Sequence, residues 1–329
     1  MDGRVLALAR EEKENIRRGA VQTDRRRHEE VYARVPEMRQ LDRQIAALVP
    51  RAAAAALGGG RDLEELRRES LDLQARRAEL LVENGWPIDY LDGAWDCPRC
   101  RDTGYVRGQM CSCLKKLYGK AQARELSALL KLGSESFGTF DLGLYDDRPD
   151  PASGVAPRVQ METVFGICYD YALDFGKRRE NYLFRGGTGL GKTFLSACIA
   201  REVANQGYSV VYETAVGALA AFEAQKFSRD GEDSAQAEAL VRRMCACDLL
   251  ILDDLGTEMT TEFSRSAFYT LINTRLLGRK KTVISTNLTA AQMAKRYTPQ
   301  IISRLEGEYQ VLAFAGTDIR VLKKERGLD

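Results

Sequence analysis

Eight consecutive residues, Gly186, Gly187, Thr188, Gly189, Leu190, Gly191, Lys192 and Thr193, match the pattern G-x-x-x-x-G-K-[ST] at every fixed position. The residue types explain the chemistry. Glycines let backbone N–H groups turn inward around phosphate oxygens. A helix starting at Lys192 points the positive end of its dipole at them. Lys192 neutralises charge on the β and γ phosphates, and the Thr193 hydroxyl takes one position on Mg²⁺. Some 60 residues on, the apolar run Leu249 to Leu252 ends in Asp253-Asp254. A buried strand tipped by two carboxylates supplies one group for Mg²⁺, Asp253, and one to orient or deprotonate an attacking water, Asp254. Val283-Ile284-Ser285-Thr286-Asn287 is a further strand with a polar tip. Asn287 reads either as a hydrogen-bonding partner of the γ-phosphate or its water, or as the turn residue that follows a strand. Arg304 reads from spacing alone as a surface salt-bridge residue, although an arginine lent by a neighbouring subunit can stabilise transition-state charge.

Cys97-x-x-Cys100 and Cys111-x-Cys113 form a second constellation. Two close cysteine pairs about ten residues apart suit a tetrahedral structural Zn²⁺, folded together by a turn around Gly104 and Gly108. His28 is the one histidine in the sequence, which argues against a mixed site. A closed four-thiolate site leaves no coordination position for a catalytic water. Cys168, Cys198, Cys245 and Cys247 read as small apolar residues of a core.

These groups need elements to hold them. Short apolar strands are expected at Tyr182 to Phe184, Ser209 to Tyr212, Leu249 to Leu252 and Thr282 to Ser285, separated by helical stretches. That alternation specifies an α/β fold with a parallel sheet flanked by helices. Before it, Val31, Val35, Met38, Leu41, Ile45 and Leu48 step by three and four, one apolar helical face. Pro50 and Gly58-Gly59-Gly60 break that pattern, and Leu66, Leu73 and Leu80 predict a second helix packed back on the first. The expected organisation is a helical N-terminal domain over 1–94, a cysteine module over 95–120, a proline-bearing linker over 121–157 and an ATPase domain over 158–329. The chain of 329 residues is 44% hydrophobic and 29% charged with a net charge of +2, so any nucleic-acid surface must be local. No apolar run approaches the roughly 20 residues of a membrane span. Without a signal-like start, and with thiols rather than a disulfide framework, a cytoplasmic protein is expected.

The order of P-loop, Asp-Asp strand, Ser-Thr-Asn strand and Ile301-Ile302-Ser303-Arg304-Leu305 resembles the AAA+ ATPases of the DnaC/DnaI helicase-loader group and the related IstB transposition ATPases. Leu252-Asp253-Asp254-Leu255-Gly256 is typical of that group. The cysteine segment and the helices before it resemble the zinc-bearing N-terminal part of some loaders. The resemblance implies nucleotide and magnesium binding by Lys192, Thr193 and Asp253, and a sensor role for Asn287. It places Arg304 at a trans-acting finger position and Arg320 at a second sensor position. Two departures stand out. Gln300 occupies a position where the family often has a second arginine, and Asp254 stands where many AAA+ proteins have glutamate. The shorter side chain implies slow hydrolysis or a share of the task for Glu258. By the same resemblance, Lys226, Phe227 and Arg229, with Phe263, occupy single-stranded-DNA contact positions; ordinary packing is the other reading of both phenylalanines. The implied function is ATP-dependent loading of a hexameric replicative helicase onto single-stranded DNA by a protein that oligomerises when assembled. A transposition-helper ATPase and a nucleotide-switch adaptor with little turnover are the alternatives.

Overall fold

The computed structural model describes residues 3–57, 63–130, 135–151, 154–227 and 232–327. They fall into two compact units, one of residues 10–114 and one of residues 115–329 with the first nine.

In the first unit, helix α1 (Gly3–Arg34) is followed by α2 (Pro36–Leu57) and α3 (Leu63–Glu83). The expected apolar face from Val31 to Leu48 is therefore shared by two helices, because Pro36 cannot continue α1 and opens α2 instead. Pro50 lies within α2 rather than ending it. The triple glycine lies outside the described residues. Val31, Val35, Met38, Leu41, Leu80, Leu81 and Leu91 form the apolar cluster of this unit. The cysteine region follows as a two-stranded hairpin, β1 (Tyr105–Val106) and β2 (Gln109–Met110). It belongs to the same unit as the helices, so the expected separation at residue 94 is absent.

The second unit carries the remaining helices and the main sheet. After α4 (Ser112–Leu130) and two short 3-10 turns, α5 (Pro157–Leu173) leads into β3 (Asn181–Arg185), α6 (Lys192–Asn205) and β4 (Val210–Thr214). Then come α7 (Ala215–Phe227), α8 (Glu232–Ala246), β5 (Leu249–Leu255), α9 (Glu262–Leu277) and β6 (Lys281–Thr286). The chain ends with α10 (Ala290–Arg296), α11 (Pro299–Glu308), β7 (Tyr309–Ala313) and α12 (Ile319–Arg326). The strands pair in the order β4-β5-β6-β3-β7, all parallel. Both faces are covered. Tyr182, Phe184, Tyr212, Ile251 and Val283 face one apolar cluster, and Leu183, Val211, Leu250, Leu252 and Ile284 face the other. The four strands expected from the sequence are present, each slightly longer. A fifth, β7, adds an edge strand beside β3.

Arg275 is wholly buried in this unit. Its guanidinium donates to the carbonyls of Met244 (2.5 Å), Cys247 (3.1 Å) and Lys281 (2.5 Å) and to the Thr282 hydroxyl (2.9 Å). It thereby ties the C-terminal end of α8 to the start of β6, where free carbonyls favour a cation.

The stretch 121–157, expected as a linker, packs on the core of the main sheet instead. The buried Gln122 amide donates to the Val210 carbonyl at 2.8 Å. Phe137, Phe140 and Leu142 pack against the first apolar cluster, and Tyr145 is part of it. Two residues before the expected linker, α4 already touches α6: a Cβ on Gly119 would overlap the Ala204 carbonyl oxygen. Replacing a helical glycine by alanine ordinarily stabilises by about 1 kcal/mol. Here the sign should reverse. Gly119→Ala is expected to destabilise the chain by about 1–3 kcal/mol through overpacking, read as a lower denaturant midpoint. An unchanged or raised midpoint would show that α4 does not seat on α6.

Candidate nucleotide site and cysteine cluster

Because β3, β5 and β6 run parallel, their C-terminal ends open on one edge of the sheet. The glycine-rich loop leaves β3 there and passes into α6 at Gly191, whose φ is +89°. Lys192 is buried, and its ammonium donates to the carbonyls of Gly186 (2.8 Å) and Gly187 (2.5 Å) and to Asn287 Oδ1 (2.6 Å). Burial lowers the Lys192 pKa, the Arg320 charge adds to that, and the Asp254 and Asp253 carboxylates oppose it. The loop lysine, the amide at the tip of β6 and the two carboxylates of β5 are thus one electrostatic group, although 95 residues separate Lys192 from Asn287.

Asp253 is buried, and its carboxylate accepts from the Tyr212 phenol at 2.7 Å and from the Ser285 hydroxyl. At Asp254 the β5–β6 register shifts through a bulge between Leu252 and Leu255, and the backbone takes φ +55°. Such a bulge re-aims one side chain out of the pleat. The Asp254 pKa is raised, first by burial and then by the neighbouring Asp253 charge, while Lys192 and Arg320 pull it down. Glu258 is placed differently. It is buried, with Oε1 accepting from the Tyr297 hydroxyl at 2.5 Å and Oε2 from the Gly256 N–H at 2.7 Å, and Arg296 lies 3.6 Å away. Both of its oxygens are engaged in holding the loop after β5.

The other expected residues separate into two groups. Arg320 opens α12, whose Asp318 cap accepts the Arg320 N–H at 2.9 Å, and its charge acts on both Lys192 and Asp254. Arg304 lies on α11, partly exposed, with Glu308 at 4.0 Å. Phe227 and Phe263, at the end of α7 and the start of α9, come together with ring centroids 5.3 Å apart. The Lys226 ammonium lies 5.3 Å from the first ring and 4.9 Å from the second. Phe227 is 62% exposed, more than a packing residue requires. Arg229 lies outside the described residues.

The sulfurs of Cys97, Cys100, Cys111 and Cys113 all lie within 4.8 Å of one another, a set that can hold a metal ion. Four sulfurs tetrahedrally arranged at about 2.3 Å from Zn²⁺ would be about 3.8 Å apart. Cys97–Cys111 at 3.9 Å and Cys100–Cys113 at 3.4 Å fit that spacing. The sequence reading missed what supports this cluster. The Asp102 carboxylate, buried, accepts from the Cys97 N–H at 2.9 Å, the Asp96 N–H at 2.9 Å and the Lys13 ammonium at 2.7 Å. Lys13 is buried as well. Burial disfavours its charge, yet the Asp102 hydrogen bond and the charges of Cys113, Asp102 and Asp96 hold its pKa above the usual value. The spacing of Lys13 and Asp102 in the chain, 89 residues, offers no local signal.

Strand order, loop and carboxylate edge together define the ATPase unit as an AAA+ nucleotide-binding domain. Residues 168–325 match the family described as IstB-like ATP binding protein. Among curated relatives, the uncharacterized protein YdaV of Escherichia coli (strain K12) is 26% identical over 125 residues, 38% of this chain and 48% of that one. The replicative helicase loader DnaC of the same strain is 24% identical over 135 residues, 41% of this chain and 54% of that one. The chain thus spans about half the length of the curated relatives it matches. Among solved structures, a DnaC helicase loader aligns at 18% identity and TM-score 0.43, covering 55% of this chain and 97% of that one. A DnaI structure aligns at 19% and 0.44, covering 60% and 93%. No helix among the described residues is long and apolar enough to cross a membrane.

The loop is also walled by its own chain. A Cβ on Gly189, where φ is +69°, would overlap the Asp318 carboxylate, and the Ile319 N–H donates to the Gly189 carbonyl at 2.9 Å. Gly189→Ala therefore adds a backbone strain of about 1 kcal/mol or more to a steric overlap. It is expected to weaken ATP binding at least tenfold. Asp318→Ala in the same chain should restore part of that loss by removing the overlap but not the strain. Titration with a fluorescent nucleotide checks both. Equal affinities in the single and double variants would separate Asp318 from the loop.

Proposed function

We propose that this chain is an ATP-dependent loader that delivers a ring-shaped replicative helicase to single-stranded DNA. The observation that carries this reading is the group formed by the exposed Phe227, Lys226 and the half-buried Phe263 on a nucleotide-binding unit. Paired aromatic faces with a cation between them suit unstacked bases and their phosphates, and they need no sequence-specific contact. The resemblance of the domain to a loader supports the partner class, a hexameric helicase.

In this reading Lys192 and the loop N–H groups bind the β and γ phosphates of ATP. Thr193 and Asp253 hold Mg²⁺, which neutralises charge on the phosphates. Asp254 orients the attacking water, a role favoured by its freedom relative to Glu258, whose oxygens are already occupied. Asn287 bridges Lys192 to the γ-phosphate side, and Arg320 adds positive charge from the same chain. Arg304, partly exposed on α11, acts on the nucleotide of a neighbouring copy in an assembled oligomer, and the protein works in the cytoplasm. Zn²⁺ at the four cysteines holds the N-terminal module, which docks the helicase.

A second reading, a transposition-helper ATPase, is favoured by the IstB-like match of residues 168–325. The two share the motor and differ in the client. Loading of a purified replicative hexamer onto single-stranded circles, measured with ATP and this chain, supports the first reading. Stimulation of a transposase without helicase loading would overturn it in favour of the second.

Two substitutions probe the parts. Lys192→Ala removes the fixed cation of the loop and should lower ATP affinity at least tenfold, with hydrolysis lost; unchanged affinity would remove the loop from the site. Phe227→Ala and Phe263→Ala should each weaken single-stranded DNA binding by about tenfold, since stacking contributes about 1–3 kcal/mol per base. Nucleotide affinity should be unaltered in both. Electrophoretic or anisotropy titrations at fixed salt decide this, and unchanged DNA binding in both variants would reduce the pair to packing.

A further inference from the structure

Asp253 is a buried carboxylate reached by a hydroxyl from each flanking strand. Tyr212 of β4 donates to Oδ2, and Ser285 of β6 donates to Oδ1. One donor on each oxygen, arriving from opposite sides, fixes the plane of the carboxylate as well as its position. Ser285 does more. Its oxygen accepts the Asp254 N–H at 2.9 Å, so it also sets the backbone at the residue whose φ is +55°. Tyr212 does more as well. Its ring belongs to the apolar cluster on one face of the sheet, which holds the phenol at the Asp253 carboxylate. Neither residue belongs to the glycine-rich loop, and neither carries a charge that would attract phosphate.

We propose that Tyr212 and Ser285 are positioning residues for the divalent cation. They hold the Asp253 carboxylate in the orientation that metal–nucleotide binding needs. The inference rests on the reading of this site as a magnesium-dependent ATPase. It assigns the two hydroxyls to metal handling and not to nucleotide affinity in general.

The test separates those two properties in the full chain. Tyr212→Phe keeps the ring and deletes one hydroxyl; Ser285→Ala deletes the other. Affinity for a fluorescent ATP analogue is measured across a Mg²⁺ titration, and Mn²⁺ bound to the protein–nucleotide complex is counted by electron paramagnetic resonance. Metal-free nucleotide affinity should stay within about twofold of wild type, since neither hydroxyl faces the phosphates. The Mg²⁺ concentration for half-maximal tightening should rise about tenfold, the scale of one lost hydrogen bond to a charged group, and Mn²⁺ occupancy should fall in parallel. An unchanged metal requirement in Tyr212→Phe overturns the inference. Equal losses with and without metal overturn it too, because they mark a purely structural role. Should Tyr212→Phe fail to fold, Ser285→Ala decides by the same criteria. Wild-type protein that binds no nucleotide overturns the ATPase reading and this inference with it. Wild type that binds, beside variants that match it, overturns the inference alone.

Discussion

The parallel direction of β3, β5 and β6 is the constraint on which the site depends. In a parallel sheet every strand leaves its residues at the same edge, so a loop, a pair of carboxylates and an amide separated by up to 95 residues meet without any long-range design beyond register. Covering both faces of that sheet is what makes the register firm. A slip of one residue would turn Leu250, Leu252 and Ile284 into the cluster that holds Ile251 and Val283. The site then inherits its precision from apolar packing. Lys192 illustrates the result: a desolvated ammonium whose three acceptors come from the loop itself and from the tip of β6.

The unit of residues 10–114 follows a different logic. Its described residues hold a two-stranded hairpin and no larger sheet, and its apolar cluster gathers Val31, Met38, Leu41, Leu80 and Leu81 from three helices, with Val35 and Leu91. The cysteine region leans on a buried ion pair instead. Lys13 and Asp102 are both withdrawn from water, a costly arrangement unless every donor and acceptor finds a partner. Asp102 meets that condition with two backbone N–H groups in addition to the lysine. Through Asp102 the pair holds the backbone at Asp96 and Cys97, where the cysteine set starts.

Much of this was readable in the chain. The loop, the Asp-Asp tip and the four cysteines stand out by local spacing, and the structure brings each set together; Asn287 reads locally just as well as a turn residue, and only its bond to Lys192 places it at the loop. Four of the five main strands announce themselves as apolar runs between helical stretches. β7 does not, because it carries no continuous apolar run: Tyr309 and Leu312 are covered while Gln310 and Val311 are open to solvent. The packed segment around Phe140 and Tyr145 was masked by the prolines that follow it, which read as a linker. Pro50 was misleading for the opposite reason, since a helix tolerated it. The residues hardest to foresee are those whose meaning is wholly tertiary: Arg275 among carbonyls, Lys13 against Asp102, and the hydroxyls of Tyr212 and Ser285 on Asp253. A serine or tyrosine in an apolar strand gives no sign of which neighbour it will meet.

The glycines of the loop are hemmed in by this chain's own atoms. Gly186 approaches Phe314, Gly189 the Asp318 carboxylate, and Gly191 the Tyr145 hydroxyl, which in turn donates to the Leu190 carbonyl at 3.0 Å. Two segments far apart in sequence, one around Tyr145 and one over Phe314 to Asp318, therefore form a mould around eight residues. The motif is not a portable cassette. Grafted into another strand–helix junction without the aromatic segment before α5 and the cap of α12, it would keep its letters and lose its shape. A chimera that exchanges nucleotide-binding loops between two such proteins should exchange these flanking walls as one inheritance.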